Sequence, residues 1–162
     1  MISRRSMMIG AALGAAGCST TASRYTGPEV TRIQIFKHHR TMQLLSGNTL
    51  LKQYDVDLGF APQGHKQQEG DGRTPEGAYR IDRRNPQSRF HLSLGISYPN
   101  ASDVARAREM GVSPGGDIFI HGTPPIWLGT RDWTWGCIAV KNHEMDEIYA
   151  MVQTNTKIFI YT

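Results

Sequence analysis

Five short runs of alternating or β-branched residues, each bounded by turn-forming residues, constrain this chain more than anything else in it. Thr31-Arg32-Ile33-Gln34-Ile35-Phe36 alternates polar and apolar positions, Leu50 to Leu58 does so loosely, and Arg89-Phe90-His91-Leu92-Ser93-Leu94 alternates again. Asp117-Ile118-Phe119-Ile120-His121 and Thr156 to Tyr161 are compact β-rich runs. A period of two sends successive side chains to opposite faces, so such runs make strands that turn one face to a core. Gly47-Asn48, Gly59 to Gly64 and Gly70 to Pro75 supply reversals between them. Two segments read as helices. Ser102 to Met110 has Ser102 as its N-cap and stops at Gly111; Asn142 to Val152 has Asn142 as its N-cap and sets Met145, Ile148, Tyr149 and Val152 on one face. The expected fold is mainly β, a curled sheet or β-sandwich with two or more short helices at its edges.

A chain of 162 residues can bury roughly 70% of its unfolded surface in one core, so a single domain suffices and no disulfide framework is needed. With two cysteines, 39% apolar and 20% charged residues, collagen-like, coiled-coil and disordered classes are excluded.

Residues 1–17 read as a signal peptide: Arg4 and Arg5, an apolar run from Met7 to Ala16, then small residues. That run is about half the ~20 residues a membrane-spanning helix needs. Ala15-Ala16-Gly17-Cys18 resembles the lipobox of bacterial lipoproteins, in which the cysteine is lipidated and becomes the new N-terminus, although Ala15 stands where leucine is usual. Ser3 to Met8 also resembles a twin-arginine export signal, and a plain basic leader explains the same residues. The alternative is cleavage near Ala22 without lipid. The expectation is a periplasmic or cell-envelope protein, lipid-anchored through Cys18, with residues 18–29 as a flexible tether reaching about 40 Å and residues 30–162 as the working domain. Removing the leader takes two of the 18 basic side chains and leaves 16 against 14 acidic ones. A residual charge of +2, with no basic run or stripe, argues against a nucleic-acid partner.

The chemistry concentrates in Ile118-Phe119-Ile120-His121-Gly122-Thr123 and Asp132-Trp133-Thr134-Trp135-Gly136-Cys137-Ile138-Ala139-Val140. Oxidising compartments favour paired cysteines, so an exported cysteine without a partner points to a reactive thiol. A free thiol is only a few per cent ionised at neutral pH, and an imidazole that takes its proton raises its nucleophilicity. The residue types alone leave a second reading open, with Cys137 a buried small hydrophobe and His121 a satisfied core histidine. His38, His39, His65, His91 and His143 show no metal-ligand spacing, and His143-Glu144-Met145-Asp146-Glu147 lacks the second histidine of a zincin helix. No metal or organic cofactor is expected.

The pattern H-G-T from His121, then T-W-G-C-I-A-V from Thr134, preceded by R-T-P-E-G-A-Y-R-I from Arg73, resembles the L,D-transpeptidase catalytic domain (YkuD-type) family over about Val30 to Thr162. Within it the chain is most similar to a Gram-negative branch holding both murein transpeptidases and hydrolases. The family's arginine two places after the cysteine is Ala139 here, and its frequent histidine before the Gly-Cys pair is Trp135. The resemblance implies Cys137 as nucleophile, His121 as base and the Gly122 carbonyl as the group that orients the imidazole. It places the N–H groups of Gly136 and Cys137, with that of Trp135 as a third candidate, in the oxyanion hole. Thr134, Trp133, Trp135 and Arg73 become candidate substrate contacts, with turn capping the alternative for Thr134 and packing or surface roles for the others; Trp127 and Tyr98 are weaker candidates of the same kind. The implied partners are peptidoglycan stem peptides, with an outer-membrane lipoprotein as a further acceptor or substrate. The implied reaction is transfer from a tetrapeptide stem to an amine; the alternatives are hydrolysis of murein or lipoprotein–murein links, and murein binding without catalysis. If Cys18 carries the lipid, Cys18→Ser moves the protein from the membrane to the soluble fraction; unchanged fractionation refutes the anchor.

Overall fold

The computed structural model describes residues 25–162; the expected signal peptide, Cys18 and the first part of the expected tether lie outside the described residues. Strands β1 (Arg32–Phe36), β2 (Thr41–Ser46), β3 (Thr49–Asp55), β4 (Gly77–Ser88), β5 (His91–Ile96), β6 (Phe119–Gly122), β7 (Ile138–Val140) and β8 (Lys157–Tyr161) form one sheet. Their order is β3-β2-β1-β8-β4-β5-β6-β7. The expected curled sheet is therefore one continuous eight-stranded surface. It turns its corner through β4, whose first residues pair with β8 and whose remainder pairs with β5 across two register shifts. Shifts of this kind bend and twist a strand.

Alternation does what the sequence pattern requires. Ile33 and Ile35 on β1 and Ile158 and Ile160 on β8 all point inward and pair directly in parallel register, each worth roughly 1.5–3 kcal/mol of burial. Met42, Leu44, Ile81, Leu94 and Ile120 extend the same core. Helix α2 (Asn142–Met151) lies on β5 and β6 and buries Met145, Ile148 and Met151. Tyr149 of the expected face is only partly buried, packed against the core under the Arg84 guanidinium. Helix α1 (Ala101–Glu109) is capped by Asn100, not Ser102: Asn100 Oδ1 accepts from the N–H groups of Ser102 and Asp103, and the Asp103 carboxylate accepts from the Asn100 N–H. Asn142 is likewise the first helical residue rather than the cap. Lys141 occupies the cap, and Glu144 Oε2 takes its N–H at 2.9 Å. Tyr25, expected in the tether, packs against the core.

Between β3 and β4 the chain forms a long loop, and buried ions hold it. Lys37, 2% exposed, donates to the carbonyls of Gly64 and Thr74 and to Glu76 Oε1. Burial pulls the Lys37 ammonium below its ordinary range, and the Glu76 carboxylate resists that pull. Lys66, 3% exposed, donates to Gln68 O and to Asp71 Oδ1, and Asp71 also caps three backbone N–H groups. His65 Nδ1 accepts the Glu76 N–H, and its Nε2 lies 3.1 Å from Asp103 Oδ1 and 2.6 Å from Arg106 Nη1, both on α1. Lys37→Met strands two carbonyls and Glu76 together; it lowers unfolding free energy by about 3 kcal/mol in urea titration. A loss below about 1 kcal/mol would show that the ammonium does not hold the loop.

Candidate active site

Strands β6 and β7 run parallel, with His121 opposite Ala139 and Ile120 opposite Ile138. Cys137 lies two residues before Ala139, and side chains two apart on a strand share a face. The register therefore puts the Cys137 thiol and the His121 imidazole on the same face, and both line one cavity of about 400 Å³. His121 is 3% exposed. Its Nδ1 lies 2.8 Å from the Gly122 carbonyl oxygen, which only accepts, so Nδ1 carries the proton and Nε2 presents a lone pair. The Gly122 carbonyl thus stands where a carboxylate orients histidine in a catalytic triad.

Part of the Cys137 surface reaches solvent, yet the protein packed around its sulfur dominates its ionisation. Burial pushes the thiol up to about 11, and Asp117 adds to the push; a Phe119 backbone hydrogen bond and the Lys66 charge oppose it. The Sγ donates to the Asp117 carbonyl at 3.5 Å. Burial also draws the His121 imidazole below its ordinary range, against the pull of the Gly122 carbonyl. Both shifts favour neutral thiol and neutral imidazole over thiolate and imidazolium.

The turn before the thiol is built from backbone. The Thr134 hydroxyl donates to Cys137 O at 2.7 Å and accepts the Gly136 N–H at 3.1 Å. Thr134 therefore caps this turn and does not approach the histidine. Gly136 has φ +121°, and a Cβ there would sit 2.6 Å from the Arg73 carbonyl oxygen, so only glycine fits. Its N–H, expected in the oxyanion hole, is committed to Thr134. The Cys137 N–H has no acceptor among the described residues. Arg73 meets this turn through its backbone, and its side chain is not part of the cavity wall. Tyr98 is buried and donates to Pro114 O, a packing role.

Aromatic side chains surround the imidazole. Trp133 meets His121 edge-on at 5.6 Å and stacks on Trp127 at 5.3 Å, while Trp135 projects 72% exposed with its edge against Phe60. The residue that sequence reasoning missed is Phe90, stacked on His121 with centroids 4.7 Å apart. It sits in the tight turn between β4 and β5 and takes the Gly122 N–H on its carbonyl at 3.0 Å. The expected strand from Arg89 obscured this, because Arg89 and Phe90 form the turn and β5 starts at His91.

The model of the L,D-transpeptidase catalytic domain matches residues 31–160. The chain belongs to this family. YafK of Escherichia coli K12, named as a candidate L,D-transpeptidase, is 34% identical over 126 residues, 74% of this chain and 46% of YafK. The structure of Pgp2 from Campylobacter jejuni, titled a helical cell shape determining protein, is 26% identical with a TM-score of 0.64, covering 85% of this chain and 49% of that one. Bd1075 of Bdellovibrio bacteriovorus shares the fold at a TM-score of 0.61 and 24% identity, over 82% of this chain and 48% of that chain. The chain spans about half the length of these relatives. Family members act on peptidoglycan stem peptides.

A neutral resting pair has a kinetic signature. Alkylation of Cys137 by iodoacetamide, followed by peptide mapping, rises continuously from pH 7 to pH 10, because the thiol keeps its proton until pH approaches about 11. A plateau already reached at neutral pH would mean a preformed thiolate–imidazolium pair.

Proposed function

We propose that this domain is a cysteine acyltransferase that forms a thioester at diaminopimelate of a peptidoglycan tetrapeptide stem and passes it to an amine. The observation that carries this reading is the His121 geometry: Nδ1 is tied to Gly122 O, and Nε2 is left as an acceptor in the cavity that Cys137 lines.

As Cys137 Sγ attacks the carbonyl of the bond to the terminal D-alanine, its proton passes to His121 Nε2. Neutral partners suit this step, since the imidazole accepts the proton during attack and no resting thiolate is required. The oxyanion of the tetrahedral intermediate points to the unpartnered Cys137 N–H; one such donor is worth about 3 kcal/mol. His121 returns the proton to the departing amine, and D-alanine leaves. An incoming amine then attacks the thioester, loses its proton to His121 and releases the Cys137 thiol. Phe90 and Trp133 pack around the imidazole and keep it from rotating off line. We also place the protein in the cell envelope, tethered through Cys18.

The purified protein incubated with disaccharide-tetrapeptide yields dimers and free D-alanine by mass spectrometry, and Cys137→Ala yields neither. His121→Ala lowers the rate roughly 10²–10⁴-fold. D-alanine release without dimers or exchange of an added D-amino acid would make the domain a hydrolase instead. Equal turnover by Cys137→Ala would refute both cysteine-dependent readings, and no turnover by either protein would leave murein binding as the remaining role.

A further inference from the structure

The cavity beside the thiol carries two formally charged residues on its wall, Asp117 and Arg89; its other polar members are neutral. Asp117 meets Arg83, whose Nη2 reaches its Oδ1 at 2.9 Å while the same guanidinium also pairs with Asp82 and lies over the Phe119 ring. Arg89 is not compensated. Among the described residues it has no carboxylate within ion-pair distance and no hydrogen-bond acceptor. It is also held in an unusually firm setting for an exposed arginine. The turn that bears it is fixed by the Gly122 N–H on Phe90 O, by the Phe90 N–H on Ser88 Oγ at 3.1 Å, and by His91 Nε2 against Asp146 at 2.7 Å. His91 adopts φ +71° there, a conformation a side chain resists and a structure must enforce. Phe90, the next residue, stacks on the base.

The turn fixes the backbone from which Arg89 joins the cavity wall, and its guanidinium, which no carboxylate of the described residues engages, has the planar fork suited to a carboxylate ligand. The position two residues after the cysteine, from which the family's arginine would rise on the same face, is Ala139, fully buried and bonded on both sides to Asp57. We infer that Arg89 supplies the substrate-binding positive charge of this site, reading a free carboxylate next to the scissile bond and so selecting acidic stems. This rests on the acyl-transfer reading above for the identity of the substrate, but not for the presence of the charge. Two groups on such a substrate present this chemistry, the carboxylate of the leaving residue and the side-chain carboxylate of the acylated residue.

The charge is tested without turnover by comparing how fast iodoacetate and iodoacetamide modify Cys137, two reagents of similar size that differ in a carboxylate. Arg89→Gln lowers the iodoacetate-to-iodoacetamide rate ratio about fivefold at low ionic strength, and Arg89→Lys restores most of it. A ratio unchanged in Arg89→Gln overturns the inference even if the enzyme is active. A lowered ratio in a protein that turns over no stem upholds it and refutes the proposed reaction. With active enzyme, stems amidated at one or the other carboxyl group identify the source: Arg89→Gln raises KM for the unmodified stem and loses that effect for the amide that removes the recognised carboxylate. If the KM difference survives both amidations, Arg89 does not read a carboxylate.

Discussion

The parallel pairing of β6 with β7 is the constraint on which the site depends. In a parallel ladder directly opposed residues point the same way, so matching His121 to Ala139 fixes the face and offset of Cys137 at once. A slip of one residue would send the thiol to the opposite face of the sheet. β7 is only three residues long, and so short an edge strand cannot set its register by its own ladder. Asp57 secures it from the outer side, exchanging both backbone hydrogen bonds with Ala139 at 2.8 and 2.9 Å. Arg131 and the Asp132 N–H meet the Asp57 carboxylate, and Arg40 grips Asp132 through both carboxylate oxygens. The register of the catalytic edge is thus anchored by charged residues well away from the cavity.

Burial around the thiol and the imidazole favours the neutral form of each. The charges that act on the sulfur oppose one another, Asp117 pushing the thiol up and Lys66 pulling it down, and burial outweighs both. Desolvation penalises both ions, so the resting site favours the protonated thiol and the neutral imidazole. A neutral thiol is also a poor target for oxidation, since oxidants react with the thiolate.

How much of this was legible in the sequence follows from how local each signal is. Cys137 and His121 could be singled out because the expected working domain holds one cysteine and the histidine closes a compact β-rich run, and both side chains line one cavity. The Gly122 carbonyl was readable through family resemblance, since the imidazole reaches only to the next residue. The strands β1, β5 and β8 and both helices were marked by periodicity to within a few residues. β4 was not, because Asn85-Pro86 reads as punctuation and a bulged, bending strand loses its period of two. Phe90 was lost with it, as its stacking on His121 depends on where the β4–β5 turn falls. Thr134 was expected as a substrate contact with turn capping as the alternative, and its hydroxyl is engaged by Gly136 and Cys137, which a motif without coordinates cannot reveal.

The long loop between β3 and β4 packs against the turn that precedes the thiol and uses a different physical device from the sheet. Gly59 and Gly136 come so close that a Cβ on the former would sit 2.9 Å from the Cα of the latter and 2.0 Å from Gly72 O. Contacts of that kind are backbone against backbone and leave no slack for rearrangement. They hold only if the loop is pinned from behind, which is the task of Lys37, Lys66 and His65 with their carboxylates and carbonyls. A buried ion pair adds little net stability against a well-packed apolar substitute, but losing one partner is costly. The charges therefore act chiefly as locks on geometry. The backbone of this loop shapes the turn at Cys137 from behind, whereas the cavity wall beside the thiol is built in part by the β4–β5 hairpin, through Asn85, Gln87, Ser88, Arg89 and Phe90. Substrate choice within this fold is most cheaply altered there, because a substitution on that hairpin changes the charge offered to the ligand and leaves the register of β6 and β7 untouched.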